Sequence, residues 1–478
     1  METTRVDVAV IGAGTAGLNA FRQVVRDGGR TLLIERGPYG TTCARVGCMP
    51  SKLLIAAAEA AHAVAGAHRF GVHPGGAPRV DGAAVMERVR RERDRFAGFA
   101  VRQTEAIPDA QRLRGSARFV GPTTLLVDDR MRVEARAVVV ATGSRPAVPP
   151  PFDGCPDGVV TSDEVFELAD LPRSLAVVGT GIIALELGQA FARLGVRVAF
   201  FNPSGRVGPF TDPELQRAAR RDLSAELDLR TGGEVREAHP DVGGVRVHWR
   251  DADGVPHHER FDLVLAAAGR RPNVEGLGLE TTGVALDGRG ALRVDPRTTQ
   301  CGNAPVFCAG DVNDHLPLLH EAADEGRIAG SNAMRFPDVA RHERRTMLAI
   351  AFCDPQMALV GTTHADLPQG AHAVGQVSFE NQGRARVMLR HRGLLRVYGE
   401  TPTCRLLGAE MLGPDVEHMA HLLAWAVQQR MTVQAALSMP FYHPVLEEGL
   451  RTALRDLAAN LRVLDGCRPE DQAAAPGD

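Results

Sequence analysis

Two glycine-rich turns, each set between a strand-like apolar run and a helix-like stretch, limit the folds open to this chain. The first is Gly12-Ala13-Gly14-Thr15-Ala16-Gly17, after an apolar run over 6–11 and opening a helical stretch over 15–26. The second is Gly179-Thr180-Gly181-Ile182-Ile183-Ala184, inside the run 175–201. A GxGxx(G/A) turn in this setting brings backbone N–H groups and a helix N-terminus up to a pyrophosphate. The pattern predicts two β-turn-α-β units, and so an α/β fold on parallel sheets.

The glycines divide the work. Gly12 permits the tight turn, Gly14 the close approach of backbone to phosphate, and Gly17 the close packing of helix on strand. Gly179, Gly181 and Ala184 repeat the set. A second strand over 31–34 leads to Glu35, where an acid can hold ribose hydroxyls. After the second turn the strand over 198–201 leads to Asn202 instead. An amide there does not make the argument for NAD, and no arginine cluster follows directly to make it for NADP; Arg206 is the nearest cation. Glu186, on the helix after the second turn, reads by itself as an ordinary helix acid.

The units are nested. An apolar strand over 138–140 runs into Ala141-Thr142-Gly143-Ser144-Arg145-Pro146, and the proline-rich segment to Pro151 reads as a crossing between domains. Gly269-Arg270-Arg271-Pro272-Asn273, after a strand near 263–267, reads as the return. A short strand over 306–308 then enters Ala309-Gly310-Asp311. Beyond about 341 the glycine-rich turns disappear, and a strand over 394–398 mixes with helices over 416–429 and 447–461. The expected boundaries are 1–145 and 271–340 for the two parts of the first domain, 146–270 for its insert and 341–478 for a C-terminal domain.

Composition excludes more than it identifies. A net charge of -3 and the lack of a basic block give no case for nucleic acid. No apolar run reaches the roughly 18–20 residues of a membrane span, and the start lacks the features of a signal peptide, so the expected compartment is the cytoplasm. Eight cysteines in 478 residues do not make a stapled secreted scaffold. Cys155, Cys301, Cys308, Cys353, Cys404 and Cys467 are scattered and read as incidental thiols.

Cys43 and Cys48 are different. They lie in Gly40-Thr41-Thr42-Cys43-Ala44-Arg45-Val46-Gly47-Cys48-Met49-Pro50-Ser51-Lys52, just before a long Ala-rich helix. Pro50 suits a first helical turn, which puts Cys48 near a helix N-terminus, where a thiolate is favoured. Lysine and arginine total 55, yet Lys52 is the only lysine; its place beside the cysteines suggests a need for a compact ammonium. A zinc site would need more ligands than this segment offers. The spacing therefore reads as a redox-active disulfide, with either sulfur free to be the nucleophile. Near the end, Tyr442-His443-Pro444-Val445-Leu446-Glu447-Glu448 offers a histidine that Glu447 or Glu448 could orient as an acid–base group.

Together these motifs resemble the class I pyridine nucleotide–disulfide oxidoreductases, over nearly the whole chain. The resemblance implies two Rossmann-like dinucleotide-binding domains, the NAD(P) domain inserted in the FAD domain, plus a C-terminal α+β dimerisation domain. It implies FAD, and NAD or NADP, as cofactors. FAD would be held through Gly12, Gly14, Gly17, Glu35, Thr42, Lys52, Thr142, Gly143 and Asp311. The nicotinamide dinucleotide would be held through Gly179, Gly181, Asn202, Gly269 and Arg270. No metal is implied. Cys48 would be the thiolate facing the flavin and Cys43 the interchange thiol facing substrate. Lys52 and Glu186 would pair near the flavin. His443, oriented by Glu448 rather than Glu447, would serve the active site of the other subunit of a homodimer.

Four positions depart from the pattern. Thr41 replaces a second glycine, Val445 replaces a common Thr, and Ala184 and Asn202 leave NAD against NADP open. Among relatives, dihydrolipoamide dehydrogenase matches best, which implies a small dithiol or a lipoyl-bearing protein as partner. A glutathione-reductase-like enzyme is an alternative. A mercuric-reductase-like one is another, though Cys467 stands where a C-terminal cysteine pair would be needed. A reading from another class makes the chain a docked subunit of a larger dehydrogenase complex.

Overall fold

A computed structural model describes residues 2–76 and 79–463; the expected end of the last domain, and Cys467, lie outside the described residues. The first sheet has seven strands. At its centre Glu2–Ile11 pairs in parallel with Thr31–Glu35 on one side and Met131–Val140 on the other. Val8 to Ile11 is fully enclosed, as expected for a strand covered on both faces. Met131–Val140 divides its far edge between two partners. Its first half takes Thr124–Val127 antiparallel, and its second half takes Val306–Cys308 in parallel. The chain thus leaves this domain and returns to the same strand.

The exit and return lie side by side. Ser144–Pro146 and Arg270–Pro272 form a two-stranded antiparallel ribbon, and the Ala147 N–H donates to the Gly269 carbonyl at 3.0 Å. Between them stands the inserted domain, a five-stranded parallel sheet in the order 228–231, 197–202, 174–178, 263–266, 159–161. It carries an antiparallel three-stranded sheet, Glu234–Asp241, Gly244–Arg250 and Pro256–Phe261, which the sequence reading did not anticipate.

The helix Thr15–Arg26 is amphipathic and buries Leu18, Phe21 and Val24. Against it lies Leu319–Arg335, whose Gly326 and Gly330 meet the backbone of Ala16 and Ala20 so closely that a Cβ would collide. The C-terminal domain is a five-stranded antiparallel sheet, ordered 348–351, 356–361, 406–413, 394–400, 372–378. Helices Val416–Gln428 and Glu448–Val463 cover it through Met419, Leu423, Leu450, Leu454 and Leu457. Cys404 is disulfide-bonded, which corrects its reading as an incidental thiol. No helix among the described residues is long and apolar enough to cross a membrane.

Candidate active site

A cleft of about 1150 Å³ brings both glycine turns, the two cysteines, Lys52, Glu186 and Asp311 to common walls. In the first turn Gly12 has φ +107°, a left-handed value that favours glycine. A Cβ on Gly17 would strike the Gly12 carbonyl, whereas one on Gly14 would meet nothing within 4 Å. The Gly14 backbone is therefore bare toward the cleft, and the helix Thr15–Arg26 begins at it. A pyrophosphate fits such a place. Glu35 turns both carboxylate oxygens to backbone, accepting from Ala13 N at 2.7 Å and Gly37 N at 2.6 Å. Each oxygen keeps a further lone pair, but the carboxylate is first a brace for the turn.

The second turn repeats this geometry. Gly179 has φ +113°, Gly181 opens the helix Ile182–Arg193, and a Cβ on Gly181 would also meet nothing within 4 Å. Asn202 is engaged on both sides of its amide. Nδ2 donates to Thr180 Oγ1 and to the Arg206 carbonyl, and Oδ1 accepts from Ser204 N and Oγ. The Arg206 guanidinium turns away, onto the Phe210 carbonyl at 2.8 Å.

The cysteine segment starts the long helix Cys48–Gly66 with Cys48 as its first residue. Before it, a short helix Thr42–Val46, not foreseen in the sequence, carries Cys43. Thr41 caps that helix from φ 58°, ψ 150°, a region that a β-branched residue rarely enters; this is the position where the family pattern has glycine. Both thiols are free. A hydrogen bond from the Cys43 thiol, and then the Lys52 charge, hold Cys48 down to about 7. The same bond, with burial, pushes Cys43 far up. Protonation thus makes the two sulfurs unequal: Cys48 is the thiolate and Cys43 keeps its proton.

Lys52, one turn further along the helix, reaches Glu186 at 2.7 Å, with side-chain exposures of 35% and 5%. Asp311 accepts from Ser144 Oγ at 2.9 Å. Arg270 donates to Ser144 Oγ and to the Ser144 carbonyl, and pairs with Asp163 at 3.2 Å. It lines the cleft while clasping the interdomain ribbon. Thr42, Gly143 and Gly269 line the cleft too, whereas Thr142 sits behind it, its hydroxyl on the Asn273 carbonyl at 2.7 Å.

His443 is not on these walls. Its side chain is 80% exposed, and Nδ1 lies 2.8 Å from Glu448 Oε1. The Val445 N–H holds the other oxygen of Glu448 at 3.2 Å, so the geometry selects Glu448 over Glu447. The bond to His443 lowers the Glu448 carboxyl below its ordinary value. Sequence reasoning missed Glu325, buried behind the cleft. Its carboxylate holds Gly310 N at 2.8 Å and the Asn313 amide at 2.9 Å, and so fixes the loop that presents Asp311. Its spacing within the helix gave no signal of this. Among the described residues no group of three or more His, Cys, Asp or Glu is placed to hold a metal ion.

Two dinucleotide cradles facing one cleft, with a thiol pair on its wall, define a dinucleotide-dependent disulfide oxidoreductase. The chain belongs to the pyridine nucleotide-disulphide oxidoreductases: that family's model matches residues 6–326, and the model of its dimerisation domain matches 347–454. It is accordingly a flavoenzyme that uses FAD and NAD(P) and acts on sulfur, and the dimerisation domain makes a homodimer its working unit. Similar curated proteins include a dihydrolipoyl dehydrogenase of Haloferax volcanii, 30% identical, covering 94% of this chain and 96% of that protein. Dihydrolipoyl dehydrogenase 3 of Pseudomonas aeruginosa is 32% identical, with 94% and 97% covered. A mercuric reductase of Shigella flexneri is 34% identical, with 96% and 82% covered. In fold the chain is similar to the HOCl-induced flavoprotein disulfide reductase RclA of Escherichia coli. The TM-score is 0.80 at 24% identity, over 95% of this chain and 99% of that one.

Proposed function

We propose that this chain moves electrons between a small dithiol, of the dihydrolipoyl type, and NAD(P), with Cys43 meeting the substrate and Cys48 facing the flavin. The observation that carries the reading is the inequality of the thiols: Cys48 near 7 beside Lys52, and Cys43 far above its ordinary value. When bound, the flavin supplies a two-electron relay between the nicotinamide and the Cys43–Cys48 disulfide. Gly12, Gly14, Gly17 and Asp311 would hold it; Gly179 and Gly181 would hold the nicotinamide dinucleotide.

The residue chemistry balances. One sulfur of the substrate dithiol attacks Cys43 Sγ, the Cys43–Cys48 bond breaks, and Cys48 leaves as a thiolate. The second substrate sulfur then attacks the first, releasing Cys43 and closing the substrate disulfide. His443, supplied from the other subunit and held by Glu448, takes the thiol proton. A group that stays protonated, as Cys43 does, needs such a base on its substrate side. Lys52, held by Glu186, keeps a positive charge beside Cys48. A lipoyl-bearing protein is the natural carrier of such a dithiol, and the cytoplasm a compartment reducing enough for the pair to cycle.

A second reading, mercuric reduction, is favoured by the identity to the Shigella flexneri protein. The test compares turnover of dihydrolipoamide with NAD and NADP against glutathione disulfide and Hg(II) with NADH and NADPH. Fastest turnover of dihydrolipoamide is expected. Turnover of Hg(II) or glutathione disulfide at a kcat/KM ten times greater would overturn the dihydrolipoyl reading.

A further inference from the structure

We propose that Phe352 is a positioning residue for the Lys52–Glu186 pair, holding the ammonium with its ring and the carboxylate with its backbone. The inference rests on the reading of Lys52 and Glu186 as a pair near the flavin, with the Lys52 charge beside Cys48. The Lys52 Nζ stands 4.6 Å from the centroid of the Phe352 ring, within range of a cation–π attraction. The same residue's N–H donates to Glu186 Oε1 at 2.9 Å, while Oε2 faces Lys52 at 2.7 Å. One residue thus touches both members of the pair, from opposite ends.

Phe352 comes from another domain than either. It follows the strand Leu348–Ala351 of the C-terminal sheet, and Ala349 and Ile350 of that strand line the cleft. The segment is pinned where it leaves the sheet. The Asp354 N–H donates to Gln189 Oε1, and Gln189 Nε2 returns a bond to the Asp354 carbonyl, both at 2.7 Å. The Asp354 carboxylate meets Arg193 at 2.9 Å, and Arg193 is held by Glu226 at 2.6 Å. Glu186, Gln189 and Arg193 share one face of the helix Ile182–Arg193, by spacings of three and four. That face grips residues 352–354 as a unit and leaves Phe352 little freedom. The intervening Cys353 is fully enclosed, with its thiol on the Pro355 carbonyl at 3.2 Å, so it takes no part in exchange.

The geometry also accounts for the lone lysine. An ammonium can touch a ring face and a carboxylate at once from the end of a thin stem, whereas a planar guanidinium would fill the space between them. The titratable groups that feel the Lys52 charge include Cys48 and Cys43, and Glu186 pairs with it from the neighbouring helix; from the C-terminal segment the Phe352 ring meets it without a charge.

The test uses the full-length flavoprotein and Phe352→Leu, which keeps the backbone bond and removes the ring. Because Lys52 is the only lysine, amine acylation with peptide mapping reads that one side chain. Acylation of Lys52 is expected to rise by about threefold to tenfold. Flavin reduction by reduced nicotinamide should slow by a similar factor. Phe352→Tyr should restore both. Where Phe352→Leu does not fold, Asp354→Asn, which loosens the segment without touching the pair, should shift both readouts the same way by a smaller factor. Acylation and reduction equal to the parent in Phe352→Leu, or in Asp354→Asn where that variant is used, overturn the proposal. Lys52→Met separates the two levels: slowed flavin reduction there, with unaltered Phe352→Leu, condemns the positioning role alone. Unaltered reduction in Lys52→Met condemns the reading beneath it as well.

Discussion

The two glycine cradles are close copies in backbone and differ in what stands around them. Gly12 and Gly179 have φ +107° and +113°, and the helices open at Gly14 and Gly181 with φ -75° and -77°. A Cβ at Gly12 would strike the Ala141 carbonyl, and one at Gly179 would strike the Ala267 carbonyl. The third position separates them. A Cβ at Gly17 would collide with the Gly12 carbonyl, yet Ala184 is accommodated without exposure. The first helix is also met closely by Leu319–Arg335, through Gly326 and Gly330. The strand ends differ as well: Glu35 braces its turn with both carboxylate oxygens on backbone N–H groups, while Asn202 ties Thr180 of its own turn to the loop that follows. On the proposed reading, phosphate binding falls to the shared backbone and discrimination to the residues that are not shared.

The largest expected break in this parallel is Gly17→Val. Overpacking there should cost about 3 kcal/mol or more and yield protein that retains no flavin absorbance, while Ala184→Gly keeps its flavin. Full flavin content in Gly17→Val would show that the two turns are equally tolerant.

Between the cradles, the Cys48 thiolate gives a pH-dependent test. In reduced enzyme its alkylation should follow a midpoint near 7. Cys43→Ala removes the principal cause of the depression and should move the midpoint up by about one unit or more. The sign follows from the lowered value. The stability it contributes is complete above the unfolded thiol's value, about 8.5, and is lost as pH falls through about 7. Reduced enzyme should therefore lose stability across that interval, and Cys43→Ala should lose less.

A smaller effect is expected from Asn202→Glu, which gives the second cradle the acid of the first. A carboxylate accepts from a ribose 2′-hydroxyl and repels a 2′-phosphate, so the ratio of kcat/KM for NADH over NADPH should rise about tenfold. The smallest change is Thr41→Gly. Releasing a β-branched residue from φ 58° should stabilise the protein by about 1 kcal/mol, visible as a higher Tm with the flavin spectrum unaltered.

Much of this was legible in the chain itself, for a physical reason. The cradle helix over 15–26 and the strand over 306–308 are fixed by local pattern, and the structure has them at Thr15–Arg26 and Val306–Cys308. Patterns of that kind depend on neighbours in sequence. The sheet of Glu234–Phe261 was missed because its outer face carries Glu237, His239, His248 and His258, so its apolar alternation is faint. The grip of Gln189 and Arg193 on residues 352–354 joins positions over 160 apart, and Glu325 gives no local sign that it organises the Gly310 loop. The sequence could propose Cys43 and Cys48 as partners and favour a thiolate at Cys48, but the hydrogen bond from the Cys43 thiol that chiefly makes them unequal is a contact only the fold supplies.

The ribbon of Ser144–Pro146 and Arg270–Pro272 also bears on how such a chain could have been assembled. With Ala147 bonded to Gly269, the host sheet meets its guest as it would a hairpin loop, whatever the length of what lies between. Strand register in the host is set by Glu2–Ile11 and Met131–Val140 and not by the insert. The connection itself thus makes no demand on the insert's length, while Glu186, Gln189 and Arg193 tie that insert to Lys52 and to residues 352–354. A different dinucleotide module spliced in at the same two residues would leave the host's strand pairing intact and would have to supply those contacts anew.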